Sequence, residues 1–221
     1  MATILSTKIL AENQKQLLLN SGIGLVEYDA ITIEFDNTTL DAPIPRNLIF
    51  TSQNAVKGFF KQYPEFQTRE ALNIFCVGEK TRAQIQENGY SVIASANSSL
   101  ELAQLIIDRY SEKEFLYICG SRRREELPIM LQKKNISFKE LEVYTTSLSS
   151  KKFSSSFDGI LFFSPSGVQS FCQENKLNSS TAFCIGTTTA TEAKKHTNNI
   201  IIANKPSIEN VIVQAVKKYK K

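Results

Sequence analysis

Two eight-residue stretches of this chain repeat one another: Ile49–Val56 reads IFTSQNAV and Leu161–Val168 reads LFFSPSGV. Each stretch begins with apolar residues typical of a buried strand and passes through hydroxyl residues into a segment with helical spacing. A strand that leads directly into a helix through serine or threonine indicates a β-α unit. The sequence therefore predicts that the same unit occurs twice.

Two further pairs of stretches repeat in the same order along the chain. Phe75–Thr81 (FCVGEKT) matches Phe183–Thr189 (FCIGTTT). Farther along, the triplet Ser99–Glu101 matches Ser207–Glu209. Because the spacing between the partners stays nearly constant, the pattern indicates an internal duplication.

The duplication is circularly permuted. The unit at Phe115–Asn135 has no counterpart after residue 207, and its pattern matches the start of the chain instead. The matching positions are Ile118 with Leu5, Glu125 with Glu12, and Leu131 with Leu18. We therefore expect one α/β domain formed by residues 1–27 and 148–221, with a second α/β domain, residues 36–137, inserted into it.

The repeated β-α units predict parallel sheets covered by helices on both faces. Two segments, Val26–Phe35 and Phe138–Thr146, depart from this alternation and show the period-two pattern of half-exposed strands. The chain must cross between the predicted domains at these two segments. We expect residues 28–35 and 138–147 to form a two-stranded antiparallel connector.

Composition and charge narrow the classes of function. The 221 residues are 42% hydrophobic and 22% charged, which are ordinary values for a soluble globular protein. The net charge of +4 suits an anionic small molecule but is too weak to indicate nucleic-acid binding. The single histidine, His196, lies in a predicted helix end, and this argues against a histidine-based metal site or catalytic triad.

The cysteines and the lengths of the apolar runs indicate the cellular compartment of the protein. The four cysteines contain no Cys-x-x-Cys pair and lie in or beside apolar runs, so we expect reduced thiols in a cytoplasmic protein. No signal-peptide pattern begins the sequence, and no apolar run approaches the about 18 residues of a membrane span. The even distribution of charge favours a monomer without a membrane or nucleic-acid partner.

Hydroxyl and amide residues follow the predicted strands of both halves. In open parallel sheets this edge is where ligands bind, and free backbone N–H groups at helix starts can hold carboxylates or phosphates. The alternative for each residue is a helix N-cap with no ligand. The predicted ligand-binding residues of this group are Ser52, Asn54, Thr81, Ser164, Ser166, Thr188 and Thr189.

Two glycines stand in the repeated turns, Gly78 and Gly186. Glycine permits a tight turn and a close approach of the backbone to a ligand, so both are predicted to belong to the binding site. They do not form a dinucleotide fingerprint, because no Gly-x-Gly-x-x-Gly follows a strand.

A basic cluster, Arg122–Arg124, follows the predicted strand at Phe115–Cys119. Arginines at a strand-to-helix turn could bind carboxylates through paired hydrogen bonds, and we predict this role for Arg122. The alternative is a solvated face that pairs with neighbouring glutamates. Lys8 is the corresponding base at the end of the first strand.

Tyr144 is the candidate catalytic residue. It falls on the polar face of the connector strand, opposite Leu141 and Val143, and a phenol can donate a proton or a hydrogen bond to a leaving oxygen. The alternative is an aromatic side chain that only packs on the ladder.

At these residues the sequence resembles the uroporphyrinogen-III synthase family. The resemblance extends over most of the chain, and its stretches occur in the family's order with the permuted duplication. The stretches that carry it are Phe50–Val56, Val77–Thr81, Val143–Thr146, Phe162–Val168 and Ile185–Ala190.

The resemblance implies a fold and a reaction. The implied fold has two flavodoxin-like α/β domains joined by a two-stranded ladder, with a cleft between them. The implied substrate is hydroxymethylbilane, a linear tetrapyrrole, which loses water as its last pyrrole ring inverts and the macrocycle closes. This is a hydro-lyase reaction of heme biosynthesis that needs neither cofactor nor metal.

The resemblance also implies roles for single residues. Carried over by motif, Tyr144 would assist departure of the hydroxyl, and the serines and threonines at the strand ends would bind the substrate. Two departures from the family pattern concern the contacts near these positions: Lys8 stands where members commonly have arginine, and Arg82 replaces a small residue.

Two alternative functions remain open from the sequence. A non-catalytic two-domain module that binds an anionic metabolite would share the hinge and the helix starts. A signalling domain would require an acidic cluster at a strand end near a lysine, and the strand ends carry serine, threonine and glycine instead.

Overall fold

The computed structural model describes residues 1–36, 44–64, 66 and 72–220. The chain divides into two compact units. Unit 1 consists of Met1–Thr32 and Ser147–Lys221, and unit 2 consists of Ile33–Thr146.

The described residues form eleven strands and eight helices. In chain order these are β1 (Thr3–Ser6), α1 (Glu12–Leu19), β2 (Gly24–Glu27), β3 (Ile31–Glu34), β4 (Asn47–Phe50), α2 (Gln53–Gln62), β5 (Asn73–Val77), α3 (Glu79–Glu87), β6 (Val92–Ala96), α4 (Ser99–Arg109), β7 (Phe115–Gly120), α5 (Glu126–Lys133), β8 (Phe138–Leu148), β9 (Gly159–Phe162), α6 (Pro165–Glu174), β10 (Thr181–Cys184), α7 (Thr187–Ala193), β11 (Ile200–Ile202) and α8 (Ile208–Tyr219).

Unit 1 contains a five-stranded sheet with the strand order β11-β10-β9-β1-β2. Every pair of neighbouring strands in it is parallel. The central strands are apolar and buried, as expected for a sheet covered on both faces. One face packs around Phe162 and Phe171, and the other packs around Leu161 and Phe183.

Unit 2 contains a six-stranded sheet with the order β3-β8-β7-β4-β5-β6. The five strands from β8 to β6 pair in parallel. Its core likewise lies on two faces, one around Phe50 and Phe59 and the other around Phe75 and Tyr117. The prediction of parallel sheets covered by helices is confirmed.

The same serine cap begins four of the helices. Ser52 and Ser98 in unit 2 and Ser164 in unit 1 each accept a hydrogen bond from the backbone N–H three residues later, and Ser207 does the same at α8. This local chemistry explains why each strand turns directly into a helix. The structural counterpart of Ser207 is therefore Ser98 and not Ser99, so the sequence match at this point was wrong by one residue.

The segment Val26–Phe35 is not one continuous connector strand. Val26 and Glu27 belong to β2, which pairs in parallel with β1, and β3 begins only at Ile31. The chain turns between them because Tyr28 and Ala30 are buried in unit 1, where their backbone N–H groups donate to the carbonyls of Ser6 and Thr7. In the sequence the turn is marked only by a change of phase in the alternation, where the apolar residues Ala30 and Ile31 are adjacent.

The second predicted connector strand is longer than expected and is also part of the sheet of unit 2. From Phe138 onward, β8 pairs in parallel with β7, and β3 lies on its other side. The N–H of Asp36 donates to the carbonyl of Val143, and the N–H of Ser149 donates to the carbonyl of Ala30. No helix in the described part of the chain is long and apolar enough to span a membrane.

Candidate active site

A cavity of about 360 Å³ opens at the carboxyl ends of the strands of unit 2. Turns that follow three strands line it: Thr51 and Ser52 after β4, Asn97–Ser99 after β6, and Arg122–Arg124 after β7. The side chains of Tyr117 and Tyr144 also line it. The cavity thus brings together three of the residues predicted from the sequence, Ser52, Arg122 and Tyr144.

Tyr144 lies in β8 and points its hydroxyl at the turn after β4. Its Oη is 3.1 Å from Oγ of Ser52. The prediction that Tyr144 occupies a polar face opposite Leu141 and Val143 was wrong, because its half-buried ring packs against the core cluster that contains both residues. A register irregularity where β8 passes Cys119 and Gly120 interrupts the alternation and accounts for the difference.

Burial also sets the protonation of Tyr144. Removal of the phenol from water raises the pKa of Tyr144 above its ordinary value, and the hydrogen bond with Ser52 opposes this shift in part. The phenol is therefore protonated at neutral pH. It can donate a hydrogen bond or a proton to a group in the cavity.

Ser52 serves two partners at once. As the N-cap of α2, its Oγ accepts a hydrogen bond of 3.1 Å from the N–H of Ala55. The same oxygen is shared with Tyr144, so the cap fixes the position of the phenol's partner. The structure is compatible with both interpretations of this residue, the helix cap and the binding-site residue.

Tyr117 forms a second tyrosine–hydroxyl pair that the sequence analysis did not identify. Its Oη lies 3.1 Å from Oγ1 of Thr51, and its side chain is 1% exposed. Burial raises the pKa of Tyr117 to about 12. The available signal was its position as the one hydroxyl side chain within the apolar strand β7.

The three arginines differ in their surroundings. Arg123 forms ion pairs with Glu140, at 2.7 Å, and with Glu125, and these carboxylates raise its pKa. The alternative of a structural ion pair therefore holds for Arg123. Arg122 and Arg124 are exposed and also line the cavity.

The start of α4 supplies further polar groups that the sequence analysis did not assign to the site. The N–H of Asn97 donates to Oε2 of Glu101, while the N–H of Glu101 donates to Oγ of Ser98. The Glu101 carboxylate thus accepts from the residue before the N-cap and not from the N-cap N–H of a complete capping box, although the spacing Ser98-x-x-Glu101 is the sequence signal of one.

The threonines of the repeated motif are mostly buried. Thr81 is 5% exposed and Thr189 is 2% exposed, whereas Thr188 is exposed. Thr81 and Thr189 therefore present little surface to a ligand in this conformation. Asn54 is half-buried in the first turn of α2.

The two repeated glycines are not equivalent. Gly78 has a φ of +86°, a conformation that favours glycine, and its N–H donates to the carbonyl of Ala96. Gly186 has a φ of −170°, which any residue adopts, and a Cβ there would meet no atom within 4 Å. The backbone conformation thus favours glycine at Gly78 and not at Gly186, and the close approach of a ligand to the two glycines stays a prediction.

In unit 1 the predicted residues stand at the corresponding strand ends. Ser164 caps α6 and accepts a 3.0 Å hydrogen bond from the N–H of Gly167, and Ser166 is half-buried beside it. Lys8 follows β1 and is exposed. The described residues of both units contain no group of three or more histidine, cysteine or acidic side chains placed to hold a metal ion.

A second cavity, of about 380 Å³, lies in unit 1 and contains none of the predicted site residues. Two of its polar side chains bond within the chain: the amide of Asn175 donates to the carbonyls of Lys151 and Phe171, and Ser180 donates to that of Phe157. The cavity of unit 2 contains three of the predicted residues and is therefore the better candidate for chemistry.

Comparison with known proteins identifies relatives of the chain. The chain is 28% identical over 242 aligned positions to a porphyrin biosynthesis protein HemD of Ruminiclostridium josui, an alignment that covers 94% of this chain and 45% of that protein. The chain thus spans about half the length of this curated relative.

Solved structures share the fold. A uroporphyrinogen-III synthetase from Helicobacter pylori 26695 superimposes with a TM-score of 0.74 at 21% identity, covering 99% of this chain and 100% of that one. A mutant uroporphyrinogen III synthase from the extremely thermophilic bacterium Thermus thermophilus superimposes with a TM-score of 0.69 at 10% identity, covering 99% of this chain and 98% of that one. The sequence model described as uroporphyrinogen-III synthase HemD matches residues 13–212. This match covers most of the chain, and the chain belongs to the uroporphyrinogen-III synthase HemD family.

Proposed function

We propose that this chain is a uroporphyrinogen-III synthase, which converts hydroxymethylbilane to uroporphyrinogen III with loss of water. The observation that carries the proposal is the family match over residues 13–212. The cavity of unit 2 supports it, because it combines a protonated phenol with exposed arginines. The activity would make the chain a carbon–oxygen lyase of heme biosynthesis.

The main task of the enzyme in this reaction is to position the substrate. Loss of hydroxide from hydroxymethylbilane gives an electrophilic azafulvene, and the electron-rich pyrrole itself drives this step. The substituted carbon of the last ring must then attack to form a spiro intermediate before direct closure gives the type I isomer. Several modest donors that fix the chain's conformation suit this task better than one strong acid.

Tyr144 is the proposed catalytic residue. Its buried phenol remains protonated at neutral pH and can donate to the departing hydroxyl. Ser52 holds the phenol's oxygen at 3.1 Å, and this contact limits the directions in which the phenol can point. The pair therefore offers one oriented donor at the mouth of the cavity.

The substrate carries eight carboxylates, and these are the proposed ligands of the basic and hydroxyl residues at the strand ends. Arg122 suits bidentate pairing at the cavity, and Lys8 supplies a charge at the end of β1. The remaining proposed contacts are Ser52, Asn54, Gly78, Thr81, Ser164, Ser166, Gly186, Thr188 and Thr189. Because Thr81 and Thr189 are buried, we expect them to contribute least.

We also propose that the two units arose by a permuted duplication. The order β11-β10-β9-β1-β2 corresponds element by element to β6-β5-β4-β7-β8 once the start of the chain is placed after its end. The N–H of Asp36 donates to the carbonyl of Val143, and the N–H of Ser149 donates to the carbonyl of Ala30. As the residue number rises on one segment it falls by the same amount on the other, as in an antiparallel pair. They support a two-stranded ladder of β3 with β8.

A coupled assay tests the proposed activity. Hydroxymethylbilane is generated in situ with and without the protein, and the uroporphyrin isomers are separated after oxidation. We expect mainly type III with the protein, at protein concentrations where it is a monomer and without added cofactor. Type I in both samples, from protein shown to be folded, would contradict the synthase and leave a non-catalytic anion-binding module.

A further inference from the structure

Gly120, at the end of β7, faces Tyr144 directly across the strand pair. The register between β7 and β8 shifts at this point, so that Cys119 pairs with Glu142 and Gly120 pairs with Tyr144. A β-bulge of this kind redirects the side chain that follows it. Here the redirected side chain is the candidate catalytic phenol.

The phenol must cross a strand to reach its partner. The sheet order places β7 between β8, which carries Tyr144, and β4, which leads into Ser52. Neighbouring strands lie about 4.8 Å apart, so the two residues belong to backbones separated by about 10 Å. The ring can span that distance only by lying over the end of β7, at Gly120.

The space over Gly120 is filled by that ring. A Cβ built on Gly120 would lie closer than 3.0 Å to three ring carbons of Tyr144: Cζ, Cε1 and Cε2. These are the three nearest heavy atoms, so the ring is the main obstacle to a side chain at this position. Since the φ of Gly120 does not lie in the positive region, the backbone itself makes no demand for glycine.

We infer that Gly120 is a positioning residue for the proposed reaction: its missing side chain leaves the space in which the Tyr144 ring lies beside Ser52. The inference rests on the proposed function for its effect on turnover. The site it names is distinct from the strand-end residues of the repeated motif. A methyl group at position 120 would displace the ring and separate the phenol from Ser52.

The test compares Gly120→Ala, Tyr144→Phe and the double variant in the isomer assay. We expect Gly120→Ala to lower kcat by about the same factor as Tyr144→Phe, about tenfold, with KM little changed. The double variant should have the same kcat as either single variant, because each substitution alone already removes the hydroxyl from its position beside Ser52. If Gly120→Ala lowers kcat by the same factor in the wild-type protein and in Tyr144→Phe, the inference is overturned. Full turnover in folded Gly120→Ala would also overturn it.

A spectroscopic readout separates this inference from the proposed activity. In protein labelled with 13C at tyrosine Cζ, Ser52→Ala should shift the Tyr144 resonance at pH 7, because it removes the phenol's partner. In the Gly120→Ala background the same substitution should leave that resonance unmoved. A shift of equal size in both backgrounds contradicts the positioning role, whether or not the chain forms type III product.

Gly159→Ala is the matched control. A Cβ at Gly159 would lie 2.6 Å from Cε2 of Phe183, a comparable steric conflict in unit 1. We expect this variant to lose stability but to keep kcat for the folded fraction. If Gly120→Ala does not fold, the double variant Gly120→Ala/Tyr144→Ala is measured. Recovery of folding would show that the Tyr144 ring is what conflicts with a side chain at position 120. Continued failure to fold would show that glycine is needed there for another reason.

Discussion

The hydroxyl of Tyr144 and the hydroxyl of Ser52 lie 3.1 Å apart although 92 positions separate the two residues. The contact joins β8 to the cap of α2 across the intervening strand β7. Sequence motifs identified each residue separately, as a connector tyrosine and a strand-end serine. The structure makes them one hydrogen-bonded pair that faces a cavity with exposed arginines.

Replacement of the phenol tests its chemical role. In Tyr144→Phe the ring keeps its place over Gly120, so the fold and the thermal midpoint should change little. We expect kcat for type III product to fall by about tenfold, less than the 10² or more of a typical general acid, because the pyrrole itself drives loss of hydroxide. The measurement is steady-state turnover with separation of the isomers.

A result of wild-type turnover and wild-type isomer ratio in Tyr144→Phe would exclude the proposed donor. Thr32→Val is a suitable control: its hydroxyl contacts Ser149 in unit 1, and its loss should leave turnover unchanged.

Loss of the Ser52 hydroxyl should affect both stability and activity. Ser52→Ala removes the N-cap of α2, which costs about 1 kcal/mol, and also removes the partner of Tyr144. Ser207→Ala removes an equivalent cap from α8, whose oxygen accepts from the N–H of Asn210 at 3.2 Å. In urea titrations we expect Ser52→Ala to lose at least as much unfolding free energy as Ser207→Ala, because it also loses the hydrogen bond with Tyr144.

Only Ser52→Ala should lower kcat, since only Ser52 touches the phenol. If Ser207→Ala lowers turnover of the folded protein equally, the effect of Ser52→Ala would be a consequence of lost stability alone.

The repeat in the sequence carried much of the information about the fold. Strand–turn–helix stretches such as Ile49–Val56 depend on local chemistry, namely an apolar strand and a serine cap, and local chemistry is visible in a sequence. The break at Tyr28–Ala30 was missed, because it follows mainly from burial of these residues in a core that distant strands complete. Its trace in the sequence is a change of phase in the period-two alternation, where the apolar residues Ala30 and Ile31 are adjacent.

The same distinction applies to the site. Ser52, Arg122 and Tyr144 were found because each stands at a strand end or on an alternating strand. The orientation of Tyr144 depends on a bulge opposite Gly120, and Tyr117 belongs to the cavity only because Thr51 meets its hydroxyl. Both facts are tertiary pairings between distant segments.

The exposed arginines should govern substrate affinity. In the double variant Arg122→Gln/Arg124→Gln we expect KM to rise by about tenfold, equivalent to about 1.4 kcal/mol, while kcat changes little. Higher ionic strength should raise the KM of the wild-type protein more than that of the variant, because salt screens the removed charges. The measurement is KM at two salt concentrations.

Arg109→Gln provides the matched control for charge. Arg109 is an exposed arginine in the last turn of α4, outside the cavity. A rise in KM of similar size in this variant would mean that the overall charge of the protein attracts the substrate, and that Arg122 and Arg124 make no specific contact.

The buried thiols predict a loss of stability in alkali. Burial raises the pKa of Cys119 and Cys184 to about 12, whereas a thiol in the unfolded chain has a pKa of about 8.5. The folded protein therefore keeps protons that the unfolded chain releases, and deprotonation favours unfolding. The stabilising contribution of each thiol is complete below about pH 8.5 and is lost as the pH rises toward 12. The phenols of Tyr28 and Tyr117, with pKa raised to about 12, act in the same direction above about pH 10.

We expect the free energy of unfolding, measured by urea titration, to be nearly constant up to about pH 8.5 and to fall from there to pH 10.5, by at most about 1.4 kcal/mol per pH unit for each buried thiol. Cys184→Ala removes one of these thiols. The unfolding free energy of this variant, taken relative to its own value at neutral pH, should therefore fall less steeply with pH than that of the wild-type protein. Ser207→Ala keeps every thiol and should show the wild-type slope. Identical slopes in all three proteins would mean that Cys184 contributes nothing to the alkaline loss, and that its thiol ionises as readily in the folded protein as in the unfolded chain.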